Sequence, residues 1–230
     1  EAYDAYGDYT TMRHLTREVL LAVARAVHGE EIALRPMSDG SVERVDLSGP
    51  WPAVPVHEAV SKACGVTLTS ASTREEVAAV CEAHGIDAPR EKSAGELVVE
   101  LYDELVEGQT MFPTFYIDFP VETSPLTRAH RGDPRLSERW DLVAFGAEIG
   151  TAYSELVDPI EQRKRLTEQS LKAAAGDVEA MSLDEAFLSA LEYAMPPTGG
   201  LGIGVDRSIM MMLGAPIRAT LAFPFVRPQG

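Results

Sequence analysis

Residues 199–207 read GGLGIGVDR, with glycine at the alternate positions 200, 202 and 204 and an arginine just beyond. Alternate residues of a strand share one face, so Gly200, Gly202 and Gly204 predict a strand that is bare on one side. Glycine inside a strand weakens it and marks places where a ligand or another backbone comes close. The Arg207 guanidinium can stack on an aromatic ring and bind phosphate. A planar nucleotide on the bare strip, with Arg207 beside it, suits both features. A tightly packed strand, with Asp206 and Arg207 paired at a helix start, is the competing reading. The dinucleotide fingerprint does not match, because the glycines alternate and no acidic residue follows at its spacing.

A second set of groups is acidic. Asp141, Glu148 and Glu155 recur within the largely apolar stretch RWDLVAFGAEIGTAYSEL. An unpaired buried charge is expensive, so each needs a partner. Mg²⁺ with a triphosphate would serve two of them, since magnesium takes a few carboxylates together with phosphate oxygens. A cationic substrate would serve the third. Salt bridges to Arg139, Arg163 or Arg165 account for the same residues without a ligand. Parity adds a condition: Thr151, Tyr153 and Glu155 share a strand face, whereas Glu148 is odd-spaced from them. One pocket for all four requires a β-bulge, and Gly150 is the predicted place. Glu1 and Tyr3, on one face of EAYDAY, could receive an ammonium group or simply belong to an aromatic edge strand. His14, His28, His57 and His84 lie on predicted helices or their ends, without a cysteine or acidic partner at catalytic spacing. None is assigned to catalysis.

These residues must be positioned by regular elements. A short strand opens the chain, and Thr10 or Thr11 caps a helix to about His28, with Met12, Leu15, Val19, Val23 and Val27 on its apolar face. A turn-rich connector follows, punctuated by Pro36, Gly40 and Gly49. Three short helices are predicted between Pro52 and Gly108. Pro55 starts the first and Gly65 ends it. Ser72 with Glu75, and Ser93 with Glu96, form capping boxes for the next two. Residues 114–119 read as a strand, and 139–156 as one long strand or two successive ones. Pro159 opens a polar helix that runs to about Asp177, and a short helix with Ser182 as its cap precedes the glycine strand. A last helix is predicted from about Arg207 to Leu213. Strands and helices do not alternate regularly, so the expected class is α+β, an antiparallel sheet flanked by helices.

Composition narrows the function. A chain of 230 residues with a net charge of −16 is poorly suited to clamping nucleic acid along a broad surface, because phosphate neutralisation needs basic residues. Contact with RNA at one small place remains compatible. No stretch reaches the roughly 20 apolar residues of a membrane span, and the polar, aromatic opening EAYDAYGDYTTM is not a signal peptide. Cys64 and Cys81 are too few for a disulfide framework or zinc cluster. They are expected as buried free thiols in a reducing cytoplasm.

Together these segments resemble the class II aminoacyl-tRNA synthetases of the lysyl type. GLGIGVDR is similar to the family's third signature motif. SPLTR at 124–128, ERWDLVAFGAEIGTAYSELVDPIEQRKRL and ALEYAMPPTGGLGIGVDR follow the lysyl enzymes in order and spacing. The match is strong from Phe112 to Pro228 and over the first thirty residues, and the helical stretch between resembles that subgroup's insertion in placement. The resemblance implies a six- or seven-stranded antiparallel sheet binding ATP and lysine side by side. The lysine carboxylate would attack the α-phosphate, and lysine would then pass from the adenylate to the tRNA acceptor end. Arg207 would be the catalytic arginine, stacked on adenine near the γ-phosphate. Gly200, Gly202 and Gly204 would floor the pocket, Asp141 and Glu148 would hold Mg²⁺ and ATP, and Glu1, Tyr3, Thr151, Tyr153 and Glu155 would surround the lysine.

Three residues depart from the family's pattern: Asp141 stands for a glutamate, and Thr151 and Val157 for asparagines. These changes are more similar to the actinobacterial lysyl enzymes, including bifunctional lysylphosphatidylglycerol synthetases whose synthetase domain supplies charged tRNA for lipid modification. The resemblance divides the chain into 1–30, the end of the second signature motif and its following helix; 31–110, connector and insertion; and 111–230, the catalytic core with the third motif. The second motif's arginine, the first motif's dimer-forming segment and the anticodon-binding barrel would precede Glu1. The chain is therefore expected to be part of a cytoplasmic homodimeric enzyme, with little adenylation by itself. A ligase that lysylates a translation factor, and a non-catalytic module binding ATP or lysine, are the alternatives.

Overall fold

A computed structural model of the chain describes residues 1–174, 176 and 180–224. Its main sheet contains β1 (Ala2–Ala5), β4 (Ala53–Pro55), β5 (Thr114–Ile117), β6 (Arg139–Ala144), β7 (Ala147–Ser154) and β8 (Thr198–Ile203). The strand order is β1-β8-β7-β6-β5-β4. Every pairing is antiparallel except β4 with β5. The expected antiparallel α+β sheet is thus present, with six strands. The stretch 139–156 is two strands. Phe145 and Gly146, with φ of 55° and 78°, make the two-residue turn between them, the left-handed pair that matches hairpin twist.

Strand alternation assigns the two faces of the sheet to different tasks. Phe115, Trp140, Leu142, Ala152 and Leu201 point into a core shared with α1 (Tyr9–His28), the hairpin β2 (Ile32–Pro36) with β3 (Val42–Asp46), and α7 (Val205–Leu213). Phe115 and Trp140 meet edge to face at 4.9 Å, and the Trp140 indole donates to the Tyr9 carbonyl at 2.6 Å. Tyr116 and Val143 point to the opposite face, into a second core with α2 (Val56–Cys64), α3 (Arg74–Ala83) and α4 (Ala94–Leu105). The helical insertion therefore roofs the β4–β6 end of that face. The β7, β8 and β1 end is left uncovered.

Several local expectations shift. The α1 cap is Asp8, in a reciprocal box with Thr11. Its buried face is Met12, Thr16, Leu20, Leu21 and Ala24, whereas Leu15, Val19, Val23 and Val27 are exposed. Both stripes have helical spacing, and only packing against the sheet decides between them. The α3 box is Thr73 with Glu76, one residue later than expected. The Ser93–Glu96 box of α4 forms as expected. Helix α5 spans Pro159–Ala174; its expected end at Asp177 lies outside the described residues. Asp184, not Ser182, caps α6 (Glu185–Leu191). Four residues, α8 (Ile217–Thr220), form a final turn after α7. Cys81 is buried and Cys64 partly so, both free. Among the described residues, no helix is long and apolar enough to cross a membrane.

Candidate active site

The uncovered end of the sheet is organised in rows. Register sets Tyr3 against Gly200, Gly200 against Tyr153, and Tyr153 against Arg139. The next row runs Gly202, Thr151, Asp141, Tyr116. Directly paired residues project to the same side, so all eight positions share one face, with Tyr116 under the helical insertion and the others toward the uncovered end. Glu155 lies two residues beyond Tyr153 and keeps this parity. Glu148 joins it because the β6–β7 register shifts between Leu142 and Val143. Leu142 pairs with Gly150 and Val143 with Glu148, leaving Ile149 as the extra residue. The bulge falls one residue from the expected Gly150, whose own bareness serves a different purpose. A Cβ there would sit 2.6 Å from the Gly202 carbonyl oxygen.

The three alternating glycines do three different things. A methyl on Gly200 would overlap the Glu155 carboxylate, which lies across it beside Tyr3. Nothing lies within 4 Å of a Cβ built on Gly202, so this is the open strip. Gly204 ends the strand and starts α7, with the Arg207 side chain 3.4 Å from its Cβ position. An open hollow of about 450 Å³ lies over Gly202, bordered by Glu1, Glu148, Thr151, Gly204, Arg207 and Ile217. Arg207 donates to the Glu148 carbonyl at 2.8 Å and stands 3.6 Å from its carboxylate. The Asp206–Arg207 pairing of the competing reading gives way to this contact, and Asp206 accepts from the Thr220 hydroxyl at 3.4 Å.

The acidic groups differ in what balances them. Asp141 accepts the Arg139 fork, with Nε to Oδ1 at 3.0 Å and Nη2 to Oδ2 at 2.7 Å. The Thr151 hydroxyl adds a third bond to Oδ1 at 2.6 Å. Burial alone would lower the Arg139 pKa, but the Asp141 carboxylate outweighs it and raises it. Glu148 is raised, first by burial and then by Asp141, against the pull of Arg207 and Arg139. Glu155 has no ion-pair partner among the described residues, and burial, with the Glu1 charge, lifts its pKa to about 7. The Tyr3 hydroxyl donates to Glu1 at 3.2 Å. Half-buried Glu155, with the exposed Glu1 and Tyr3, thus makes an anionic corner in which Glu155 has no ion-pair partner among the described residues.

Two tiers result. Glu1, Glu148, Thr151, Gly202, Gly204 and Arg207 border the hollow. Tyr3, Tyr153, Gly200 and Glu155 form the adjoining corner, and Asp141 lies beside Thr151, 5% exposed and outside the hollow's lining. Of the salt bridges weighed from sequence, only Arg139 with Asp141 forms. Arg163 pairs with Glu185 and Arg165 with Glu161. Arg139 was weighed from sequence as a salt-bridge partner, whereas Ile217 escaped the sequence reading. Arg139 was legible, being two residues from Asp141 and hence on its face; Ile217 had no comparable signal. Loop 124–138 is tied to the end of β7 and to Glu155 just beyond it. Arg128 donates to the Ser154 carbonyl through its backbone, and its side chain pairs with the buried Glu138 at 2.6 Å.

The chain as a whole matches known proteins. The family described as tRNA synthetases class II (D, K and N) matches residues 1–227. A lysylphosphatidylglycerol biosynthesis bifunctional protein LysX from Gordonia bronchialis is 56% identical over 228 residues, covering 99% of this chain and 20% of its own length. The proteins of the same name from Nocardia farcinica and Mycolicibacterium vanbaalenii are 54% and 53% identical over 229 residues, covering all of this chain and 20% and 21% of their own. The chain spans about one fifth of the length of these relatives.

Proposed function

The chain belongs to the class II tRNA synthetases (D, K and N), and from that premise we propose that it forms the ATP- and lysine-binding part of a lysine–tRNA ligase site. The observation that carries this reading is the Glu1–Tyr3–Glu155 corner. A half-buried carboxylate with no ion-pair partner among the described residues is costly, and a lysine ammonium supplies the missing charge. A neutral amino acid would leave Glu155 unpaired, which discriminates strongly without an editing step.

The nucleotide lies over Gly202, where a side chain would block it, with Arg207 against the ring and the phosphates. One oxygen of the lysine carboxylate attacks the α-phosphorus and the bond to the bridging oxygen breaks, giving lysyl-adenylate and pyrophosphate. The terminal ribose hydroxyl of tRNA then attacks the lysyl carbonyl, and AMP leaves. Mg²⁺, when bound, neutralises and orients the triphosphate; Glu148, at the wall of the hollow, is placed to hold it. This chain's residues contribute position and charge, the main requirements of such a transfer. The relatives are named for lysylphosphatidylglycerol biosynthesis, and by our reading the lysine charged at this site on tRNA would serve that synthesis in the whole protein.

Lysine-dependent exchange of pyrophosphate into ATP by the full-length protein, followed by tRNA charging, is the test. Exchange and charging that both fall in Glu155→Gln are expected. Charging of a protein in place of tRNA would reject the acceptor. Stabilisation by ATP and lysine without any exchange would reduce the chain to a binding module.

A further inference from the structure

The proposed ATP site invites two acidic ligands for the metal, and the two candidates differ in their surroundings. Glu148 borders the hollow, with Arg207 as its ion-pair partner 3.6 Å away among the described residues and Arg139 as a more distant positive charge. Asp141 has both oxygens in use. Its Oδ1 accepts from Arg139 Nε and Thr151 Oγ1, and its Oδ2 accepts from Arg139 Nη2. We propose that Asp141 is a positioning residue and not a magnesium ligand. With Thr151 and Arg139 it forms a clamp across β6 and β7 that fixes the guanidinium beneath the lysine corner. Glu148 is then the carboxylate of the pair that faces metal-bound triphosphate. This inference rests on the ATP reading above.

Three features support it. The planar fork of arginine matches a carboxylate edge, giving a strong two-point contact. To bind a metal, Asp141 would have to release that fork, leaving a poorly exposed guanidinium unpaired beside a divalent cation. Arg139 is also held from its faces, 4.3 Å from the Phe119 ring and 5.9 Å from that of Tyr153, contacts that favour a cation over an aromatic face. Position agrees as well. In the row Gly202–Thr151–Asp141, Thr151 stands between Asp141 and the open strip, and its hydroxyl is turned toward Asp141. The Arg139 row, by contrast, runs through Tyr153 and Gly200 to Tyr3, the lysine side of the site.

The full-length protein is titrated with Mn²⁺ in the presence of a non-hydrolysable ATP analogue, and bound metal is counted by electron paramagnetic resonance. Lysine affinity is measured in parallel by calorimetry. Glu148→Gln is expected to weaken Mn²⁺ by more than about tenfold, the lower end of what loss of even an outer partner costs a metal site. Asp141→Asn and Thr151→Val are expected to keep the number of bound ions. They should also leave the affinity for the metal near that of the wild type, while weakening lysine. If Asp141→Asn does not fold, Thr151→Val alone decides, with lysine weakened and the metal unchanged as the supporting result. Loss of a bound ion, or metal weakening equal to that of Glu148→Gln, in either variant would overturn the clamp and leave the ATP reading standing. Wild-type protein that binds no metal–nucleotide would overturn both.

Discussion

Glu155 is the residue on which specificity turns, and its protonation supplies a direct measurement. Burial, then the Glu1 charge, raises its pKa to about 7, well above the ordinary carboxylate value near 4.3. The folded chain therefore keeps this proton at pH values where the unfolded chain has lost it. The contribution of Glu155 to stability is present below its unfolded pKa and is lost as pH rises toward about 7. Ligand binding runs the other way, because the ammonium of lysine needs the ionised carboxylate. Calorimetry should find lysine affinity rising through that window, and Glu155→Gln should flatten the profile while lowering affinity for lysine far more than for ATP. Arg207→Ala should do the reverse, weakening ATP more than lysine. Equal losses of both ligands in both variants would show that the two tiers of the site are misassigned.

At the scale of elements, the glycine strand separates packing from binding. Gly200 and Gly202 have the same parity on β8, yet a methyl would overlap Glu155 at the first and meet nothing within 4 Å at the second. Gly202→Ala should melt with the wild type, since no described atom opposes it, and lose nucleotide affinity because the methyl enters the hollow. Gly200→Ala should displace Glu155 and weaken lysine first. Thermal melts with and without each ligand distinguish them; a Gly202→Ala protein that binds ATP normally would place the nucleotide elsewhere. The strand and its arginine were legible in the sequence because a period of two and a run of glycines are local signals. The bulge was legible as a necessity of parity, and its displacement to Ile149 was not, because neighbouring hydrogen bonds choose the residue that is squeezed out.

At the scale of the molecule, two cores share one sheet. Phe115 and Trp140 belong to one, Tyr116 and Val143 to the other, and these alternate along the same paired strands. The two cores should therefore unfold together. Leu101 is fully buried in the insertion core, and Leu101→Ala should cost about 2–5 kcal/mol. Urea denaturation should still give a single transition, at a lower midpoint. Two separated transitions would mean that the insertion is an independent unit resting on the sheet. The arrangement also explains why the site lies where it does. The insertion covers the β4–β6 end of one face, so the β7, β8 and β1 end is where a ligand can reach the bare strand.

The sequence by itself determined the antiparallel α+β class, the glycine strand with its arginine, the acidic positions and the lysyl-type resemblance, because these are written in local period and spacing. It did not determine which stripe of α1 is buried, or which acidic group has a cation. Met12 and Val19 are equally apolar in a helical pattern, and Asp141 and Glu155 equally anionic in a strand. Only the tertiary structure decided between them, because burial and pairing depend on what another part of the chain brings alongside. It placed the sheet under Met12, the fork of Arg139 against Asp141, and no cation near Glu155 among the described residues.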